Sequence, residues 1–208
     1  MGLLTPRTRT ALVGLLAGQR LVEVRHSARN RARAGDGVPS SPRTYPAMVA
    51  AHVALFVAAA WPRRSRRVPA AVEALALAGL AGATCLRISV IRTLGESWNV
   101  TAHVSPSTPV ITSGPYRWVR HPNYTAVALE FACLPVAVGA IREAVWLSLA
   151  DAMVLWPRIR AEEALLDRLP GYRAAFAGVP RFVPFPGRRS QNPASVSQSR
   201  GESLPKPQ

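Results

Sequence analysis

The chain has 208 residues, a formal net charge of +15 and 49% hydrophobic residues, enough for one domain or a compact bundle of helices. Its basic residues are arginines set between long Ala/Leu/Val stretches, with Lys206 the only lysine, which argues against a soluble nucleic-acid binder and for basic loops facing anionic headgroups. Cys85 and Cys133 lie isolated in apolar stretches without CxxC or Cys/His spacing, which argues against a zinc site or disulfide scaffold and predicts two small buried side chains.

Five apolar segments follow in chain order. The first, residues 10–24 (TALVGLLAGQRLVEV), is interrupted by Arg20 and Glu23 and lacks the small-residue cleavage site of a signal peptide. The second, 45–61, carries His52. The third, 68–91, is long enough to cross a ~30 Å hydrocarbon core at ~1.5 Å per residue. Within it Gly79 and Gly82 would let neighbouring helices approach closely. The fourth is 124–141, and the fifth, 144–157, contains Asp151 and is expected to stop at Pro157. Segments one and five are short for a span, so tilting, local thinning or a partial helix is allowed for. The predicted fold is all-α, a polytopic integral membrane bundle of about five transmembrane helices with a cytosolic C-terminal cofactor-binding region.

With five spans, loop 25–44, loop 92–122 and the C-terminal region share one face. That face carries Arg25, Arg29, Arg31, Arg33, Arg43, Arg92, Arg117, Arg120, Arg158 and Arg160 and reads as cytoplasmic. Arg7, Arg9 and the PRRSRR run at 62–67 weigh the other way. Residues 1–185 form the expected membrane domain. Residues 186–208, rich in Ser, Pro, Gln and Gly, are expected to be a disordered tail, and no internal repeat is visible.

The polar knot SGPYRWVRHPNYTAVALE, residues 113–130, stands at the mouth of segment four. Gly114-Pro115 makes a turn, and His121-Pro122 forces an extended residue before a helix that starts near Pro122. Arg120, His121 and Asn123 are thereby held at a helix N-terminus, whose free N–H groups and dipole favour an anion. Arg adds a bidentate fork for a carboxylate, and Tyr116, Trp118 and Tyr124 add aromatic faces for a purine or a cation. A ligand with a carboxylate, a cationic centre and an aromatic base fits, and S-adenosylmethionine has all three. A second cluster, Arg158-Ile-Arg160-Ala-Glu162-Glu163, admits two readings. Arg158 and Glu162 are one turn apart and could form a surface salt bridge, or the carboxylates could serve the cofactor's amino and ribose groups while Arg158 or Arg160 meets the substrate. A third cluster, Tyr172 with VPRFVP at 179–184, reads as a re-entry onto the interface or a simple surface anchor. No metal site and no nucleic-acid partner is expected, and Gly35-Asp-Gly37 is a lone GxG in a polar loop.

Together, LGESW at 94–98, TSGPYRWVRHPNY at 112–124, RIRAEE at 158–163 and the Tyr172/VPRF segment resemble the isoprenylcysteine carboxyl methyltransferase family over roughly residues 85–185. QRLVEVRHSARNRAR and TYPAMVAAH look more like a bacterial subgroup whose members often accompany type III polyketide synthases and O-methylate alkylresorcinols or alkylpyrones. The resemblance implies an integral membrane S-adenosylmethionine-dependent O-methyltransferase of the bacterial plasma membrane, acting on a lipophilic small molecule. It implies that His121, Asn123, Tyr124, Glu162 and Glu163 contact the cofactor, with Arg120 and Tyr116 close by. It also implies a cofactor pocket open to the cytosol and a substrate tunnel open to the bilayer. The chain departs from the family at Thr125-Ala126, where prenylcysteine enzymes usually place a small residue and then Gly, and at Asp151.

A carboxylate acceptor needs no base, whereas a phenol or enol gains from a base or a cation beside the oxyanion. Glu130, ~13 Å along the helix from His121, is the candidate base, since an acid at that depth is costly unless used. A neutral carboxyl bonded between helices is the bland alternative. His52 and Asp151 are similar in kind, and His103 is expected in a solvated loop. Alternative functions are carboxyl methylation of isoprenylcysteine, phospholipid-headgroup methylation, a membrane sterol-type reductase, and a basic membrane adaptor.

Overall fold

The computed structural model describes residues 3–33, 38–39, 44–61, 68–100, 103–104 and 108–185. Its helices are α1 (Pro6–Arg33), α2 (Tyr45–Ala60), α3 (Ala70–Leu94), α4 (Pro122–Ala137), α5 (Ile141–Leu166) and the single turn α6 (Tyr172–Ala175). Short 3-10 turns occupy Gly95–Ser97 and Gly114–Arg117. The described residues are all-helical apart from one antiparallel pairing of two-residue strands, β1 (Val38–Pro39) with β2 (His103–Val104). The GxG at 35–37, the PRRSRR run and the expected tail 186–208 lie outside the described residues.

Central in the bundle is α4, between α3 and α5, and α2 rests on α5 and α1. Its sequence explains the placement: Ala126, Phe131, Leu134 and Ala137 are all at 0% exposure. The turn Val138–Gly139–Ala140 then folds α5 back antiparallel, with Gly139 at φ +86°. At Gly79 of α3 an added Cβ would sit 2.6 Å from Cys133 Sγ of α4, so the two helices pack closely there. The same role expected for Gly82 does not hold, because a Cβ there meets nothing within 4 Å. Cys85, expected buried, is exposed on α3, and Cys133 is half-buried.

Two helices outrun the apolar segments that announced them. The first continues well past residue 24, so Arg25, Arg29, Arg31 and Arg33 are helical rather than in a loop. Its polar end is fixed by the chain around the α3 terminus. The Val100 N–H donates to Ser27 Oγ at 2.9 Å, and Asn30 Nδ2 donates to the Trp98 carbonyl at 2.7 Å and that of Gly95 at 3.1 Å. The fifth does not stop at Pro157: α5 passes through it to Leu166. The hydrogen bond missing at Pro157 is offset by the contacts of Arg158, the next residue, and of Glu162 and Glu163, one to two turns later.

One described helix, Ala70–Ser97, is long and apolar enough to cross a membrane by length and composition, while the apolar α2 has 16 residues. Charged groups are buried within the apolar core, and large apolar side chains stand on the surface. Glu23, Glu73, Arg87, Glu130, Asp151 and Arg158 are buried, whereas Leu15, Val53, Leu75, Trp146 and Met153 are exposed. Charged groups turned inward against an apolar exterior are the arrangement a helical bundle needs in hydrocarbon.

The buried charges are paired across helices. Arg20 of α1 bonds Glu23 at 2.6 Å and makes a close contact with Glu130 of α4. Arg87 of α3 lies 3.7 Å from Glu23 and 3.6 Å from Glu130, and its Nη1 donates to Asn123 Oδ1 at 3.0 Å. Glu73, 0% exposed, receives the N–H groups of Leu3 at 2.6 Å and Leu4 at 3.0 Å and so anchors the chain leading into α1.

Candidate active site

The knot at 113–124 is built by local residues first. Gly114 has φ +57°, and a Cβ there would meet Thr93 Oγ1 at 2.3 Å, so only glycine lets the turn Gly114–Arg117 lie against α3. Pro122 is the first residue of α4, in agreement with the His-Pro signal, so Arg120, His121 and Asn123 stand at its N-terminus. After α6 the chain returns to this stretch. The N–H groups of Arg120 and His121 donate to the carbonyls of Pro180 and Arg181, each at 2.9 Å, and Thr125 Oγ1 donates to the Phe182 carbonyl at 3.2 Å.

Near the end of α5 the paired glutamates gather these side chains. Glu163 receives a two-pronged contact from Arg181, Nε and Nη2 each at 2.8 Å from a different oxygen. It also receives His121 Nε2 at 3.1 Å and lies 3.4 Å from Arg120 Nη1. The Arg181 fork, aided by His121 and Arg120, holds the Glu163 carboxyl down at about 2 against burial that opposes it. An ionised Glu163 only accepts, so His121 Nε2 carries a proton in this contact.

That clamp has a pH signature. A folded carboxyl near 2, with an ordinary value of 4.5, contributes stability that is complete above about 4.5 and lost as pH falls through about 2. Thermal melts of the detergent-solubilised protein should therefore drop over that window, and Glu163→Gln should flatten the drop while lowering stability at neutral pH. A variant with the wild-type slope would contradict the clamp.

Glu162 faces differently. It accepts from the Tyr124 hydroxyl at 2.6 Å, and its other oxygen lies 3.9 Å from His121 Nδ1. The Tyr124 oxygen in turn accepts from Arg158 Nε at 3.1 Å, and Arg158 Nη2 donates to the Val100 carbonyl. Arg158 is 0% exposed, and its Nη1, like Arg120 Nε, has no hydrogen-bond partner among the described residues. Burial first, and then the negative charge of Glu162, push the Tyr116 and Tyr172 phenols well above their ordinary value, so both stay protonated donors.

Tyr116, Arg120, His121, Asn123, Tyr124 and Glu162 line one cleft of about 930 Å³. Its apolar side comes from Val110, Ile111, Leu169 and Phe176, among others. Glu163 stands behind it, holding His121 and Arg120. The structure does not bring Arg160 or Glu130 to this cleft. Arg160 is exposed, 5.8 Å from the Trp156 ring centroid, and Glu130 is held by Arg20 and Arg87 deeper in the bundle.

A larger, mostly apolar cavity of about 1040 Å³ lies among α1 to α5, with Arg20, Glu23, His52 and Arg87 as its polar lining. It shares Trp98, Val100, Asn123 and Tyr124 with the cleft, so one wall separates a polar pocket from a greasy one. A third cavity, about 610 Å³, lies between α4 and α5 and also touches Tyr124.

Residues 74–168 match the isoprenylcysteine carboxyl methyltransferase (ICMT) family. The matched stretch is a little under half of the chain. The chain is also 34% identical over 90 residues to an uncharacterised protein, YpbQ, of Bacillus subtilis (strain 168). That alignment covers 41% of this chain and 54% of the relative, so the chain spans about half the length of the relative it matches.

The ICMT-matched segment holds Arg87, Trp98, Tyr116, Arg120, His121, Asn123, Tyr124, Glu130, Arg158, Glu162 and Glu163, so most of the cleft falls within it. Outside it lie Arg20, Glu23 and His52 of the apolar cavity, and Arg181. Thr125, one of the departures from the ICMT pattern, uses its hydroxyl to fasten the returning Phe182 segment. Sequence reasoning had placed neither Arg181 nor Arg87 in the site. The VPRF segment pointed at the first without naming its partner, and a lone arginine inside apolar segment three was the only signal for the second.

Proposed function

We propose that the chain is an integral membrane S-adenosylmethionine-dependent O-methyltransferase acting on a lipophilic acceptor. The observation that carries this is the wall of Trp98, Val100, Asn123 and Tyr124 shared by the polar cleft and the apolar cavity. A water-soluble donor and a lipid-soluble acceptor would meet across it. The family match, the helix Ala70–Ser97 and the inward-facing charges support the membrane setting. In this reading the other long helices also span, in about five crossings, with the cleft on the cytoplasmic side of a bacterial plasma membrane.

The donor set fits S-adenosylmethionine. Glu162 would take the amino or ribose groups, and Arg120, with its unpartnered Nε, the carboxylate. Tyr116, Tyr172, Phe176 and the apolar side of the cleft would hold the adenine ring. Bound there, the cofactor supplies an electrophilic methyl group on a sulfonium. The chain's own residues align the acceptor oxygen and manage its proton. Tyr124, accepting a proton from the acceptor hydroxyl while passing its own to Glu162, provides a route off the shared wall, and Arg158 holds Tyr124 in place for it.

For the acceptor we propose a polyketide-derived alkylresorcinol or alkylpyrone hydroxyl, supplied by a type III polyketide synthase. Support comes from the resemblance of the N-terminal third and from the mostly apolar cavity that this third builds. The test is transfer of label from S-adenosylmethionine, in membranes containing the protein, to an alkylresorcinol, an alkylpyrone or a farnesylcysteine analogue. Label in the first or second, lost with His121→Ala, is expected. Label in farnesylcysteine alone would overturn the acceptor, and label in none would overturn the activity.

A further inference from the structure

The cavity between α4 and α5 contains an acid that stands apart from the residues proposed for methyl transfer. Asp151 is 2% exposed, and its Oδ1 has no hydrogen-bond partner among the described residues. The cation that acts on it through space, Arg20, is committed to Glu23 and Glu130. A buried acid without a partner is costly in any apolar interior, and more so in a bundle solvated by hydrocarbon. Asp151 lines the cavity of about 610 Å³, with Ser148 one turn earlier on the same face of α5. The remaining lining is apolar or aromatic, including Phe131, Leu155, Trp156 and Ile159. Trp156 is 52% exposed, so this side of α5 also meets the surroundings of the bundle.

We propose that Asp151 and Ser148 form a subsite for the hydroxyl group of a lipophilic phenol or enol, with Asp151 accepting its hydrogen bond. The chemistry of the lining fits that class. An apolar molecule without a donor would leave Asp151 unpaired, and a carboxylate would set two acids side by side in an apolar cavity. A neutral molecule with an acidic hydroxyl satisfies the oxygen and fills the rest of the space. Tyr124 lines this cavity, the larger apolar cavity and the polar cleft, so a molecule held by Asp151 abuts the wall where transfer is proposed. The subsite lies in a different cavity from the one proposed for the methyl acceptor, and Asp151 is seven residues, so ~10 Å along α5, from Arg158; binding there does not rest on the methyltransferase reading.

The experiment is binding to the purified full chain in lipid nanodiscs, by titration calorimetry, of three probes with the same alkyl chain: an alkylphenol, its methyl ether and an alkylbenzoic acid. The expected result is a preference of about tenfold or more for the phenol over both others. Asp151→Leu should abolish the preference over the ether while the ether still binds, which shows the cavity intact. Asp151→Asn, which keeps an acceptor oxygen, should retain part of it. Equal binding of phenol and ether by the wild type would overturn the subsite without any variant, as would an Asp151→Leu protein that still prefers the phenol. Phenol preference without methyl transfer to any acceptor would leave the subsite standing and remove the methyltransferase reading. Methyl transfer without phenol preference would do the reverse.

Discussion

Replacing Arg158 by leucine is expected to slow methyl transfer about a hundredfold or more while the bundle still folds. Arg158 is wholly buried behind the shared wall and donates to both the Tyr124 hydroxyl and the Val100 carbonyl. Its loss frees two wall residues at once, and small displacements at a reacting centre cost orders of magnitude in rate. Arg158→Lys keeps the charge but not the planar fork, so it should recover only a small part. Single-turnover transfer at saturating donor is the measurement. A leucine variant within about threefold of wild type would remove Arg158 from the account, since a loss on the order of a hundredfold is what misalignment of a reacting centre predicts.

The second large effect is on stability. Arg20, Glu23, Arg87 and Glu130 form a neutral buried network in which α1, α3 and α4 each supply charge. Glu130→Leu leaves two guanidiniums facing one carboxylate in the bundle interior. Breaking such a buried set by removing one partner costs about 3–5 kcal/mol, so a marked fall in Tm is expected in detergent or lipid. The double change Arg20→Met with Glu130→Leu removes one charge of each sign and should recover much of the loss. Transfer measured per folded molecule separates two roles for Glu130. A base would abolish turnover in both variants. A residue that acts through Arg87 and Asn123 would leave partial turnover, with the double variant no worse than the single.

What could be seen in the sequence was what depends on neighbours along the chain. The His-Pro start of α4, the apolar run of α3 and the glutamate pair one turn beyond Arg158 are short-range signals, and each sits where its spacing implied. The length of α1 was hidden because Ser27 and Asn30 read as loop-formers until the carbonyls and N–H groups of residues 95–100 are placed against them. Continuation of α5 through Pro157 was hidden for a similar reason, since the proline rule is local and the compensating contacts are not. Arg181 reaches Glu163 only because the chain turns back after α6, and no spacing in the sequence encodes that return. Cys85 is exposed although an apolar run suggests burial, because α3 also carries apolar side chains on its surface, Leu75 and Ile88 among them.

On the proposed function, the cleft at the start of α4 binds S-adenosylmethionine. Equilibrium dialysis of the labelled cofactor against the purified protein in detergent tests it most directly, with Glu162→Gln as the comparison. Saturable binding, displaced by S-adenosylhomocysteine and weakened at least about tenfold in the variant, is the predicted result, since Glu162 is the cleft carboxylate whose charge is lost. No saturable binding, or equal binding by both proteins, would contradict it.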